Sequence, residues 1–301
     1  MRNHLLRQDF YGNSCNRKYS DMKELPVKHR EVTLCTESFG NAARPAILLI
    51  MGATASMLWW DKNFCEKLAD KGFFVIRYDH RDTGKSTTYE LGAPSYDLMD
   101  LADDMIKILD TYNILQANFV GMSLGGILAQ IAALKYPDRI LTLTLFATGP
   151  FGEPDPTIPA MDEKIVNFQA KADKINWSDE EEVITYLTNG ARLLSGSGHT
   201  FDTLAMENLF RLEFRRANHF RSMYNHAQLD GAEQYLNQTS QIKQPVLIIH
   251  GTGDKIWHYT HALNMLDILP HSNLVTLPGT GHELHRQDWE RIINAISMHA
   301  R

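Results

Sequence analysis

Asn118-Phe119-Val120-Gly121-Met122-Ser123-Leu124-Gly125-Gly126 decides how the rest of the chain is read. The apolar residues before Gly121 have strand character. Beyond the serine, Ile127, Ile131 and Leu134 fall on one stripe of a helix that Pro137 must end. Between strand and helix stands a G-x-S-x-G pattern. A strand that enters a helix through so short a turn strains its apex residue and lifts that side chain clear of the sheet edge. Glycines two positions before and two after the serine let neighbouring backbone pass with no side chain in the way. The helix start adds unpaired N–H groups and positive potential where an oxyanion would develop. Ser123 is therefore the candidate nucleophile.

Outward from this turn, short apolar or β-branched runs alternate with helical stretches. Residues 46–50, 74–78, 118–120, 141–146, 246–249 and 274–277 have the character of strands buried on both faces. Leu98, Leu101, Met105, Ile108, Leu109 and Tyr112 form one helical stripe, and Trp289, Ile292, Ile293 and Ile296 form another near the C-terminus. The alternation predicts an α/β fold, with a mostly parallel central sheet flanked by helices. Residues 150–240 break it. Pro150, Pro154, Pro156 and Pro159 open that segment, no buried strand follows, and the pattern is helical. The segment reads as a helical cap inserted into a core of residues 28–149 and 241–301, with residues 1–27 a polar N-terminal extension. Inside the cap, Ser178 and Glu181 read as a capping box, and the acidic run 179–182 as a solvated first turn.

A serine hydroxyl is a weak nucleophile until a base takes its proton. Where a nucleophile elbow is used, the partners follow it in the order serine, acid, histidine. The strand at 246–249 runs into His250-Gly251-Thr252-Gly253-Asp254, and the strand at 274–277 is followed by Gly279-Thr280-Gly281-His282. Asp254 and His282 thus fall past the carboxyl ends of their strands, on the edge where open α/β sheets place their sites. Asp254 would orient the base and His282 would be the base. Among the other histidines, His80 precedes Ser123. His199, His219 and His226 lie in the cap with solvated or structural roles, and His258 and His261 belong to the helix after Asp254. Only His282 follows a strand and a glycine turn. His285, three residues on, is a false partner.

The remaining features bound the function. Hydrophobic residues are 44% and charged residues 22% of 301, an ordinary globular balance. A net charge of −6 argues against a nucleic-acid partner, which would call for a basic face. Cys15, Cys35 and Cys65 are odd in number and widely spaced, so neither a disulfide framework nor a CxxC site is indicated. No apolar run has the length of a secretory or membrane-spanning segment, which leaves cytoplasmic residence and no membrane partner as the expectation. His282-Glu283-Leu284-His285 lacks the i, i+4 histidines of a zincin helix, so no metal is expected. Gly84-Lys85-Ser86 lacks the upstream glycine of a phosphate loop, since position 79 is Asp.

With these residues in place the chain resembles the α/β-hydrolase superfamily from about residue 30 onward. The resemblance rests on the Ser123 elbow, the Asp254 loop, the His282 turn and Tyr78-Asp79-His80-Arg81-Asp82-Thr83-Gly84-Lys85-Ser86. That last stretch is similar to the family's D-x-R-G-x-G-x-S loop, with Asp82 in place of its first glycine. The DHRDTG form, with Met51-Gly52, resembles aclacinomycin methylesterase-like members, and haloperoxidase-like members are similar as well. The resemblance implies carboxylic-ester hydrolysis without a cofactor, under a helical cap. It also implies an oxyanion hole made by the backbone N–H groups of Leu124 and Ala53, although many members carry His-Gly where this chain has Met51-Gly52. Relatives that are haloalkane dehalogenases or epoxide hydrolases use aspartate where this chain has Ser123, so acyl rather than alkyl transfer is implied.

Trp59, Trp60, Phe146, Phe151 and Trp257 flank these loops and are candidates for the walls of an apolar substrate pocket, with core packing as the alternative for each. The expected partner is a small, hydrophobic ester, and the oligomeric state stays open. A haloperoxidase-like perhydrolase or a C–C bond hydrolase would use the same three residues, and a small-molecule receptor of this fold would retain them with little turnover.

Overall fold

The computed structural model describes residues 24–301. One sheet holds β1 (Leu25–His29), β2 (Val32–Phe39), β3 (Ala46–Ile50), β4 (Phe74–Tyr78), β5 (Ala117–Met122), β6 (Ile140–Phe146), β7 (Val246–Gly251) and β8 (Ser272–Leu277). Their order across the sheet is β1-β2-β4-β3-β5-β6-β7-β8. β1 pairs antiparallel with β2 and β2 antiparallel with β4, and every later pairing is parallel.

The six sequence runs are β3 to β8. The hairpin of β1 and β2 was not legible, because β1 buries only Val27 and β2 interrupts its apolar residues with Thr33, Thr36, Glu37 and Ser38. The run at 274–277 is a correction to the expectation of burial on both faces, because β8 is an edge strand in which only Leu277 is buried. β1 begins at Leu25, inside the stretch read as an extension.

The central strands bury both faces. Ile47 and Leu49 of β3 enter one core with Phe64 and Leu68 of α1 (Lys62–Asp70) and Trp289, Ile292 and Ile296 of α8 (Trp289–His299). Leu48 and Ile50 enter the other, with Leu101, Met105 and Leu109 of α2 (Leu98–Thr111), Leu128 and Ile131 of α3 (Leu124–Lys135), and Met265 of α7 (Thr260–Ile268). The period-two alternation of β3 is thus what builds a layer on each side.

Between β6 and β7 the chain holds α4 (Glu163–Gln169), α5 (Glu180–Leu194), α6 (Thr203–Arg216) and several 3-10 turns, with no strand among the described residues. The start of α5 corrects the expected cap. Asp179, not Ser178, is the N-cap, and its carboxylate accepts the N–H groups of Glu181 and Glu182 at 3.0 and 3.2 Å. A carboxylate at the helix start gains from the dipole as well as from the hydrogen bonds, and so displaces the neighbouring serine. The acidic run is also not merely solvated, since Glu180 and Glu181 pair with Arg211 of α6.

Asp82, standing where the resemblance has glycine, takes the left-handed conformation glycine would favour, with φ of 66°. Its carboxylate accepts Tyr89 N–H at 2.6 Å, Tyr96 O–H at 2.7 Å and Asn225 Nδ2 at 3.0 Å, which hold the loop in that shape. No helix among the described residues is long and apolar enough to cross a membrane.

Candidate active site

β5 ends at Met122 and α3 begins at Leu124, so Ser123 alone makes the turn, at φ 53° and ψ −120°. A non-glycine residue there costs on the order of 1–3 kcal/mol and persists only because its surroundings fix it. Ser123 N–H donates to Phe146 O of the next strand at 2.9 Å. A side chain on Gly121 would run into the Gly125 carbonyl, and one on Gly125 would run into the Ile50 carbonyl of β3. The glycines of the motif are therefore required by the close approach of β5, α3 and β3. Ser123 is partly exposed, beside Gly52.

Asp254 follows β7 and His282 follows β8, at the same sheet edge as Ser123. His282 Nδ1 lies 2.8 Å from Asp254 Oδ2. The other carboxylate oxygen, Oδ1, accepts the N–H groups of Ile256 and Trp257 at 2.8 and 2.9 Å. Burial raises the Asp254 carboxyl, but the attraction and hydrogen bond of His282 outweigh it and hold the group below its usual range. An ionised carboxylate only accepts, so Nδ1 carries the proton and Nε2 offers its lone pair. Among the described residues no hydrogen bond joins that Nε2 to Ser123 Oγ. Such contacts are commonly long without substrate and tighten when it binds.

Sequence reasoning missed a second histidine at this acid. His250, at the end of β7, is buried and 3.5 Å from Asp254 Oδ2, and its Nε2 donates to Trp257 O at 2.7 Å. The i, i+4 spacing to Asp254 was its only signal. The His282 backbone N–H donates to Leu194 O at the end of α5, so a helix between β6 and β7 holds the histidine loop.

Of the expected oxyanion donors, Leu124 N–H opens α3, and Ala53 lies exposed in the loop after β3. Polar groups pin that loop along its length. His80 Nε2 donates to Met51 O at 2.9 Å, Thr54 N–H donates to His226 Nδ1 at 3.1 Å, Ser56 N–H to Glu213 Oε1 at 2.8 Å, and Met57 N–H to Asp79 Oδ1 at 2.9 Å. Burial raises the Glu213 and Asp79 carboxyls, the latter against the pull of Arg216 at 2.7 Å. No local motif marked His226, Glu213 or Arg216.

The pocket candidates separate. Trp60 and Phe146 take the packing alternative, because both are fully buried in the core with Phe64, Met122 and Trp289. Phe146 is the last residue of a strand covered on both faces, and Trp60 packs on Phe64 with centroids 5.7 Å apart. Trp59 turns toward α6, where its indole N–H meets Glu213 Oε2 at 2.9 Å and its ring meets Phe210 edge-on. Phe151 and Trp257 are half-buried, the latter against Gly149 and His261. His261 lies in α7, whereas His258 precedes it.

Among the described residues, one cluster has metal-ligand chemistry: His199, His285 and Asp288. The two imidazoles are stacked at 4.1 Å and 4°, and His199 already bonds Asp288 at 2.8 Å and Gln287 at 2.9 Å. An ion must lie near the plane of each imidazole that binds it, and parallel stacked planes cannot share one. The arrangement is a hydrogen-bonded stack, not a ligand set.

The alpha/beta hydrolase fold family matches residues 45–288 of the chain. Rhodomycin D methylesterase DauP of Streptomyces sp. (strain C5) is 32% identical over 90% of this chain and 96% of its own length. Rhodomycin D methylesterase DnrP of Streptomyces peucetius is 31% identical over 91% and 97%. Among solved structures, esterase RhEst1 from Rhodococcus sp. ECU1013 superposes with a TM-score of 0.75 at 18% identity, covering 92% of this chain and 97% of that one, a likeness of fold. With the strand order, the elbow and the Asp254–His282 pair in agreement, the chain belongs to the alpha/beta hydrolase fold family and is a hydrolase.

Proposed function

We propose that the chain is a cofactor-independent serine carboxylic-ester hydrolase working through an acyl-enzyme on Ser123. The observation that carries this reading is the 2.8 Å pair of Asp254 and His282, set at the sheet edge that carries the strained serine. His282 Nε2 takes the Ser123 proton as Oγ attacks the ester carbonyl, while Asp254 holds the tautomer and stabilises the imidazolium. The N–H groups of Ala53 and Leu124 receive the oxyanion, a contribution of about 3 kcal/mol per donor in comparable sites. His282 then protonates the departing alkoxide, and water attacks the acyl group by the same path in reverse roles.

The two methylesterase relatives point to a methyl ester of a hydrophobic acid as the first substrate class to try. Small-molecule turnover needs no nucleic-acid or membrane partner. Cytoplasmic residence fits the unpaired, buried thiols of Cys35 and Cys65.

Comparison of the native enzyme with Ser123→Ala on a panel of methyl and short p-nitrophenyl esters tests the assignment. Turnover is expected to fall by at least about four orders of magnitude with the fold intact. Ester turnover retained by Ser123→Ala rejects it. Faster peroxide-dependent bromination or cleavage of a dienone substrate by the native enzyme replaces it with perhydrolysis or C–C cleavage. Labelling of Ser123 by a fluorophosphonate with no ester turnover favours a receptor.

A further inference from the structure

Thr54, the residue after Ala53, has φ of 63°. A β-branched residue in the left-handed region is a genuine outlier, and its strain persists only where the surroundings impose it. The imposing group comes from the segment between β6 and β7. His226, in the 3-10 stretch Phe220–Gln228, is buried, with Nε2 2.7 Å from Arg81 O and Nδ1 3.1 Å from Thr54 N. A carbonyl only accepts, so Nε2 carries the hydrogen, and Nδ1 is left with the lone pair that Thr54 N–H requires. Both bonds demand the same neutral tautomer. A second strut stands two residues on. Glu213 of α6 is buried, and its two oxygens take Ser56 N–H at 2.8 Å and the Trp59 indole N–H at 2.9 Å. Neither side chain has a surface role, since every polar atom of each is spent on this loop or on the Arg81 carbonyl.

We propose that His226 and Glu213 are positioning residues for the oxyanion hole: His226 pins the strained Thr54 peptide and Glu213 the turn behind it, so that the Ala53 N–H faces the carbonyl carried above Ser123. This rests on the reading of Ala53 as an oxyanion donor. The inserted segment then completes the hole as well as covering it. A donor held out of place loses its value in the transition state more than in the ground state, so the loss falls on kcat and on tetrahedral adducts, not on substrate affinity.

The test measures kcat, KM, melting temperature and inhibition by a trifluoromethyl ketone in the native enzyme, His226→Ala, His226→Gln, Glu213→Gln and Ser123→Ala. The ketone accepts Ser123 Oγ at its carbonyl carbon and places the resulting oxyanion in the hole. His226→Ala is expected to lower kcat and ketone affinity together by roughly 10- to 100-fold, with KM within about twofold. His226→Gln should recover part of both, because an amide can accept from Thr54 and donate to Arg81 O. Glu213→Gln, which keeps the shape and one acceptor, should lose at least about fivefold in both quantities and carries the test if His226→Ala does not fold. Ketone affinity and kcat within about threefold of native in every folded His226 and Glu213 variant overturn the proposal. If Ser123→Ala is inactive in that same series, the ester reading stands without it, whereas an active Ser123→Ala removes the reading on which it rests.

Discussion

At the scale of single residues, the hydrogen bonds of Asp254 determine what its removal should do. Oδ1 accepts two backbone N–H groups, from Ile256 and Trp257, and Oδ2 faces His282 Nδ1. In Asp254→Asn the two N–H donors require the carbonyl oxygen at the Oδ1 position, which turns the amide NH2 toward His282. An NH2 there must donate, so the imidazole would present its lone pair at Nδ1 and carry its hydrogen on Nε2. That tautomer cannot take a proton from Ser123. A fall in kcat of about 10^4-fold near neutral pH is expected, with little loss of stability, because the backbone donors keep their acceptor. Steady-state kinetics and a thermal melt check it together. A loss below about tenfold would mean that Asp254 does not set the tautomer.

At the scale of elements, the site depends on how closely loops from distant parts of the chain approach. A side chain on Gly281 would run into the Leu194 carbonyl and the Gly196 N–H, both backbone groups at the end of α5 that cannot step aside. Gly281→Ala is therefore expected to displace His282, whose own N–H is bonded to that Leu194 carbonyl. Overpacking of this kind costs about 1–3 kcal/mol, and a base moved by about 1 Å costs roughly 100-fold in rate. Urea unfolding and kcat/KM of the variant measure the two effects, and native values for both would show that the loop has room to shift. The contact also shows where legibility in the sequence ends. The elbow, the Asp254 loop and the His282 turn could be read because each is a local pattern: a buried run, a glycine turn, a polar residue just past a strand end. Strands β3 to β8 were legible for the same reason, as short apolar runs, the edge strand β8 included. The β1–β2 hairpin was not, since β1 has one buried residue and β2 breaks its apolar residues with Thr33, Thr36, Glu37 and Ser38, so neither shows a continuous apolar run. Trp60 and Phe146 could not be told from pocket walls because an aromatic beside a catalytic loop has the same local sequence whether it points inward or outward. His226, Glu213 and Arg216 had no local signature at all, because their partners lie more than a hundred positions away.

At the scale of the whole molecule, the fold keeps several histidines neutral inside it. Burial, with the neighbouring His226, depresses His80 to about 3, and burial lowers His226 and His250 in the same direction. In the unfolded chain each titrates near about 6.5. Below that pH the unfolded chain binds a proton that the folded chain refuses. The stability contribution of each such histidine is thus complete above about 6.5 and is lost as pH falls toward the depressed folded value, by up to about 1.4 kcal/mol per pH unit. Asp254 does not act in this window, because its depressed carboxyl loses its contribution only below the unfolded value of about 3.9. Asp79 and Glu213, raised by burial, act in the opposite sense, binding protons in the folded state that the unfolded chain has released. The net slope mixes these signs, so the informative quantity is a difference. His80→Gln keeps a donor for Met51 O and removes the titration. Urea denaturation at a series of pH values from about 5 to 6.5 should give a free-energy slope shallower in His80→Gln than in the native chain by as much as about 1.4 kcal/mol per unit, whatever the variant costs in absolute stability. Parallel slopes would mean that His80 is protonated in the folded state as readily as in the unfolded one. Its burial beside the oxyanion loop would then not hold it neutral.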